Sequence, residues 1–474
     1  MTPNKKNQVW SGKWTFILAA TGSAVGLGNI WGFPYMAGTN GGGAFVIIYL
    51  ACILIIGIPI MMGEIIIGRR AKMSPVNSMK LAAQDSNRSS KWQIIGWGGI
   101  LAGILILSFY SVLAGICINY IFISLNADSQ ISAVEQFTKT TDSALNLLIW
   151  HSIFILITSS VIAAGVKKGI GRFVRVLMPI LGLILIIMVL NAVFNGNFLE
   201  GVQFLFSPDF SQITPNTFLS AMGQAFFSMS LGMGAIMTYG AYMSDNQRIT
   251  QTSLTVGGLD TLVAMLAGLA IFPIIFASGL EVNSGGVGLV FITLSETFKS
   301  MFLGELFGPL FFILLVIASL SSSISLLEPS VAYFSEEKII SRKKAAFLLG
   351  SISWFLGIGS ALSFNYLQEF YLLPNMNILD SIVFIGNNLL LPLGGLFVAL
   401  FLGWFADKKL IAEQLKLSPP AQGMWLFFIR FVAPLAVFSI LISQFLVVDE
   451  DISFPHLRNL IFDIVYFIFG EGTS

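Results

Sequence analysis

Charge is what this sequence has least of. Asp, Glu, Lys and Arg make up 10% of its 474 residues, against about 25% in a soluble domain. Cysteine and histidine are almost missing as well, with only Cys52, Cys117, His151 and His456. Both cysteines sit inside apolar runs, and neither histidine has a Cys or His neighbour at ligand spacing. A disulfide framework, a zinc site and haem ligation therefore find no support. No Ser/His/Asp or Cys/His set is placed for nucleophilic catalysis, and "GLGNIW" (26–31) lacks the strand that a dinucleotide or phosphate loop follows. The reading is of a chain that is not an enzyme and holds no organic cofactor. The balance of 25 basic and 24 acidic residues implies neither nucleic acid nor an acidic partner.

What is present is apolar: 55% hydrophobic residues, 42 of them Phe, and a mean hydropathy of +0.84. The chain reads as an all-α integral membrane protein in contact with lipid. A spanning helix needs about 18 or more largely apolar residues, and eleven candidates are centred near residues 26, 54, 108, 155, 184, 230, 266, 321, 354, 392 and 435. The tail "LRNLIFDIVYFIFGEGTS" is too interrupted for a twelfth. The start, "MTPNKKNQVWSGKW", is polar and basic without a cleavage pattern, so it reads as a retained cytoplasmic segment.

Alternate loops carry the basic residues: 69–92, 167–175 ("KKGIGRFVR"), 336–344 and 407–416. These face the cytoplasm by the positive-inside rule. The intervening loops hold Asp128, Glu135, Asp142, Glu200, Asp209, Glu281, Glu296 and Glu305. An odd count of helices then leaves the C-terminus external. The expected division is a cytoplasmic segment 1–12, a core 13–410, a last helix 411–446 and a tail 447–474.

Within this apolar chain the first span breaks its own rules. "GSAVGLGNIWGFP" (22–34) crowds four glycines and a proline into thirteen residues, where each Gly costs about 1 kcal/mol and Pro about 3 in a helix. The sixth span repeats the pattern, "LGMG" at 231–234 matching "VGLG" at 25–28. Breaks five helices apart are what an inverted repeat of helices 1–5 and 6–10 produces. Paired interruptions are the best sequence pointer to a midplane site, because freed backbone groups can receive ions and substrate there. Packing notches are the plainer alternative for any one glycine pair.

Polar residues gather around the same depth. Asp260 falls in the seventh span, where a carboxylate costs about 2.5–3.5 kcal/mol on insertion scales; an interfacial position at the helix end is the alternative. The eighth span carries Ser319, Ser321, Ser322, Ser323 and Ser325, oxygen ligands for a small hard cation or glue between helices. Asn29 is a third oxygen donor. Glu64 and Glu328 read as structural, bonded to freed backbone groups or facing a cavity.

"SAVGLGNIWGFPYMAGTNGGGAF" (23–45), "GEIIIGRR" (63–70), "GQAFFSMSLGMGA" (223–235) and "ASLSSSISLLEP" (318–329) together resemble the signatures of the neurotransmitter:sodium symporters, transporters with the leucine-transporter (LeuT) fold. The resemblance runs from about Trp10 to Asp407. It implies that fold, with a five-plus-five inverted repeat, broken helices 1 and 6, and the eleven-helix form of the bacterial branch.

It also implies roles for residues. One sodium ion would take Ala24, Asn29, Ser228 and Asp260, and a second Gly22, Val25, Ala318, Ser321 and Ser322. A substrate carboxylate would meet the unwound stretch at Gly26, Leu27 and Gly28 and the hydroxyl of Tyr110. Its amino group would meet carbonyls near Phe227 and Ser230, with Phe227 as lid. Ile106, Leu113, Met233, Ser323 and Leu326 would line the side chain, which suits a neutral, hydrophobic L-amino acid. Amine-carrying relatives have an aspartate where this chain has Gly26. Asp260 would stand in for the chloride that other relatives need.

The chain departs from the family at its gates. Gly32 replaces the arginine of "W-R-F-P", and Val383 replaces its aspartate partner, with Asp380 one turn earlier. At the inner side Trp10 and Glu336 match, but Asn7 stands where an arginine belongs, with Lys5 or Lys6 as substitutes. The expected activity is sodium-coupled amino-acid symport at the cytoplasmic membrane. The rivals are a sodium-dependent sensor with little transport and an ion-conducting channel.

Overall fold

The first helix ends where its sequence says it cannot continue. In a computed structural model that describes Trp10 and residues 12–126, 131–279 and 288–446, α1 (Lys13–Ala24) stops as Val25 swings to an extended conformation. The chain resumes as α2 (Gly28–Thr39), bent 55° from α1. Next come α3 (Gly43–Ala71), a short α4 (Pro75–Asp85), α5 (Ser90–Leu125), α6 (Ala133–Asp142), α7 (Ala144–Ala163) and α8 (Val166–Asn195). A short α9 (Phe198–Phe206) leads to a second broken pair, α10 (Pro215–Ser228) and α11 (Ala235–Ala241).

The remainder is α12 (Ile249–Ala277), α13 (289–300), α14 (Gly304–Glu336), α15 (Arg342–Leu362), α16 (Ile378–Phe405), α17 (Lys408–Leu415) and α18 (Pro419–Ser443). A hairpin, β1 (Tyr371–Leu373) with β2 (Met376–Asn377), interrupts the otherwise helical chain. Its turn is made by Pro374 and by Asn375 at φ +56°, a conformation Asn tolerates better than most residues.

Among the described residues nine helices are long and apolar enough to cross a membrane, ten with the bent α1–α2 pair. The α10–α11 pair, with a seven-residue second half, is the remaining candidate near residue 230. The expected boundary at 410/411 is corrected: α17 runs through it, and the last span starts at Pro419, where a proline pair opens a new helix. Asn7, Lys5, Lys6, Asp128, Glu281 and the tail 447–474 lie outside the described residues.

Burial sorts the helices into a core and a lipid-facing shell. In α5 and α14 83% of the most apolar window is buried inside the protein, against 33% in α18 and 39% in α7 and α8. The two central helices lie against each other, and α15 packs on α5 and α7. Exposed Leu156, Ile186, Phe355 and Phe438 face outward, where in lipid no penalty attaches to apolar surface. Both breaks come to lie inside this core.

The basic loops are tied by charge. Arg69, 3% exposed, donates to Gln247 O and to Gln414, joining α3 to α17. Lys72 pairs with Asp245 at 2.9 Å, and that hydrogen bond holds the Asp245 carboxyl below its usual range.

Candidate functional site

The unwound stretch between α1 and α2 leaves carbonyls that need donors, and serines from the second break and from α14 provide them. Ser230 Oγ donates to Ser23 O at 2.7 Å. Ser322 Oγ reaches Ser23 O and Val25 O, each at 3.3 Å, and Ser321 Oγ reaches Val25 O at 3.4 Å and Ala318 O at 2.8 Å. In the second break Ser230, Gly232 and Gly234 all have positive φ. Two N–H groups there, of Gly232 and Met237, donate to Glu64 of α3 at 2.7 and 3.3 Å. Glu64 is fully buried, so its carboxylate replaces the helical bonds that membrane depth makes obligatory.

Asp260, on α12, is fully buried beside the first break. Its Oδ1 accepts from Asn29 Nδ2 at 2.7 Å, and its Oδ2 accepts from the hydroxyls of Ser228 and Tyr49. Asn29 Oδ1 in turn receives the Gly26 N–H at 3.2 Å. Three neutral donors surround this carboxylate, and it has no ion-pair partner among the described residues, so its charge is met by hydrogen bonds alone. Tyr49, 3.2 Å from Ser228 Oγ, was not singled out in the sequence, although a lone tyrosine in "AFVIIYLAC" carried the signal. The second group expected to hold sodium also gathers: Ser321 and Ser322 meet Val25 and Ala318 as above. A Cβ on Gly22 would stand 3.3 Å from that of Ser321.

A cavity opens between the two breaks. It is lined by Ser23, Ala24, Gly26, Leu27, Gly28, Ile106, Tyr110, Phe227, Ser228, Ser230, Met233, Ser322, Leu326 and Leu391. Its lining is partly polar, with Leu27 N–H donating to Tyr110 Oη at 3.4 Å. Ile106, Met233, Leu326 and Leu391 are apolar walls. Gly26 has no room for a side chain, since a Cβ there would lie 2.5 Å from Ser322 Oγ and 3.1 Å from Tyr110 Oη. Phe227 packs on Gly28 so closely that a Cβ would meet its ring at 2.8 Å.

Two expected lining residues are placed elsewhere. Ser323 directs its hydroxyl to Thr158 of α7 at 2.9 Å and to Leu320 O, because on a helix its neighbour Ser322 already takes the inward face. Leu113, one turn past Tyr110, is buried but not among the lining residues. Leu391, from α16, lines the cavity unannounced by the sequence: nothing distinguishes one leucine of a membrane helix from the next.

The model of the sodium:neurotransmitter symporter family matches residues 7–142 and 128–462. This chain belongs to that family. Its curated relatives include the uncharacterized sodium-dependent transporter YhdH of Bacillus subtilis, 36% identical over 92% of this chain and 97% of the relative. A sodium-dependent transporter of Haemophilus influenzae is 33% identical over 94% and 99%. Among solved structures, MhsT in complex with L-phenylalanine is similar with a TM-score of 0.84 and 44% identity, covering 92% of this chain and 99% of that one. The protein is thus a sodium-dependent, multi-pass membrane transporter of this family with the LeuT fold, and not an enzyme.

Residues at the positions where the resemblance implies gates make other contacts among the described residues. Beside Gly32, the Gln224 amide comes within 3.5 Å of where a Cβ would be and donates to Gly28 O at 2.7 Å. Asp380 sits exposed in the first turn of α16 with its N–H held by Asn377, and Val383 is half-buried. At the opposite end Trp10 donates its indole N–H to Tyr239 O at 3.2 Å and meets Tyr239 and Tyr242 edge-on. Tyr242 donates to Glu328 at 2.8 Å, and Glu328 pairs with Arg342 at 2.6 Å. Glu336 accepts the Ser74 N–H at 2.7 Å. Glu328, read from sequence as a partner of freed backbone or a cavity residue, is instead the acid of a buried ion pair.

Proposed function

We propose that this protein couples uptake of a neutral, hydrophobic L-amino acid to two sodium ions, by alternating access and without chloride. The observation that carries the reading is the mixed lining of the cavity: Ser23, Ser228, Ser230, Ser322 and Tyr110 with the α1–α2 break, and Ile106, Met233, Leu326 and Leu391 as apolar walls. A zwitterion with an apolar side chain matches that lining, its carboxylate beside the Leu27 and Gly28 amides and the Tyr110 hydroxyl, its ammonium toward Ser230. The L-phenylalanine bound by MhsT supports the same class.

Sodium would be held by Ala24, Asn29, Ser228 and Asp260, and by Gly22, Val25, Ala318, Ser321 and Ser322. Tyr49 and Ser228 both donate to Asp260, so a fixed negative charge already occupies the place an anion would serve. Each sodium ion entering with the membrane potential contributes about 2.3 kcal/mol per 100 mV. Movement of the two five-helix repeats about the breaks would expose the site to either side, with the N-terminus cytoplasmic and the C-terminus outside.

The test is L-phenylalanine uptake into proteoliposomes under inward sodium or potassium gradients, with chloride or gluconate. Saturable accumulation in sodium, equal in both anions, is expected. Binding without accumulation would mean a sensor, large single-channel currents would mean a channel, and a several-fold loss in gluconate would end the chloride-independent reading.

A further inference from the structure

We infer that Leu391 of α16 sets the upper size of the substrate side chain and thereby the selectivity of this symporter. The inference rests on the amino-acid reading above. Of the four apolar walls, Ile106, Met233 and Leu326 belong to α5, the second break and α14; Leu391 alone comes from α16.

The position of Leu391 is fixed by backbone on two sides. Its carbonyl lies 2.1 Å from where a Cβ on Gly232 would be, and a Cβ on Gly394 would meet Gly232 O at 2.1 Å. Gly232, at φ +81°, therefore lets α16 seat directly on the unwound stretch. A turn earlier a Cβ on Gly386 would stand 2.9 Å from Ile106 Cγ1, so the same helix also braces a second wall. Residues 384–390 form a π-helix, whose i→i+5 bonding sets Gly386 and Leu391 one turn apart, toward the same side. Leu391 is 2% exposed.

The walls differ in compliance. Met233, an unbranched thioether, can re-form around substrates of different shape. Leu391 is branched and its backbone is seated against Gly232, so a longer substrate meets a less adaptable wall there. One methylene in such a pocket is worth about 10- to 200-fold in discrimination.

The experiment is binding of L-valine, L-phenylalanine and L-tryptophan to purified protein, by thermal shift in sodium with potassium as control, converted to dissociation constants. Leu391→Ala should raise the preference for L-tryptophan over L-valine by about tenfold or more, and Leu391→Phe should lower it. Leu391→Val, a smaller change, gives the same direction if the alanine variant does not fold. Leu410→Ala, a buried position on α17 outside the cavity, should leave the ratio as it is.

An unchanged ratio in folded Leu391 variants that still bind would overturn the inference, as would an equal shift from Leu410→Ala. Absence of sodium-dependent binding of any of the three by the unsubstituted protein would instead end the amino-acid reading itself, and this inference with it.

Discussion

Replacing Asp260 by asparagine keeps the side chain's shape and removes its charge. The carboxylate is fully buried, held by Asn29, Ser228 and Tyr49, with no basic side chain paired to it among the described residues. A bound sodium ion would therefore be its principal counter-charge. Two unit charges 4 Å apart interact by about 1 kcal/mol in water and about 4 kcal/mol at the effective dielectric of about 20 that describes sites in proteins. At about 1.4 kcal/mol per decade, loss of that term raises the sodium requirement between about 5-fold and about 1000-fold. Full burial puts the expected value in the upper part of that span, at about 300-fold or more.

The assay is the initial rate of L-phenylalanine uptake against external sodium. Asp260→Ser adds a second arm: with the carboxylate gone and space opened, the Tyr49 and Ser228 hydroxyls can receive an anion, so uptake should become faster in chloride than in gluconate. A sodium half-saturation within twofold of the unsubstituted protein, with no chloride effect in the serine variant, would refute the assignment of Asp260 to the cation site.

Gly26→Ala places a methyl group 2.5 Å from Ser322 Oγ and 3.1 Å from Tyr110 Oη; sodium-dependent stabilisation by amino acids should disappear while the purified protein remains folded by circular dichroism. Glu64→Ala leaves the Gly232 and Met237 N–H groups without acceptors, at about 1–3 kcal/mol each, and should lower the thermal midpoint clearly more than Glu64→Gln, which retains a carbonyl. Arg342→Met strands the buried Glu328 carboxylate and should cost about 3–5 kcal/mol in denaturant unfolding, whereas adding Glu328→Leu should recover much of the loss. Additive effects in that double variant would mean that the 2.6 Å pair is not coupled.

Much of this protein was legible before any fold was known. Both breaks lie at glycine pairs in apolar runs, Gly26/Gly28 and Gly232/Gly234, where helix is costly; the pairing of the two patterns is the signal, since Gly96, Gly98, Gly99 and Gly103 stay helical in α5. Asp260 and the serines of α14 stood out because polar groups at membrane depth are expensive.

What tertiary structure decided was orientation and partnership. A run of serines in α14 does not say which hydroxyl faces the first break; packing gave Ser321 and Ser322 to Ser23 and Val25, and turned Ser323 to Thr158. Tyr49 met Asp260 across more than 200 residues of chain, and Glu328 found Arg342 and Tyr242. Leu391 entered the cavity only because glycines at 232 and 394 let α16 approach the second break closely. Composition and spacing act along the chain, where each helix shows its period and its breaks. Which side of a uniformly apolar helix turns inward depends on how its neighbours fit, and that information exists only when they are packed together.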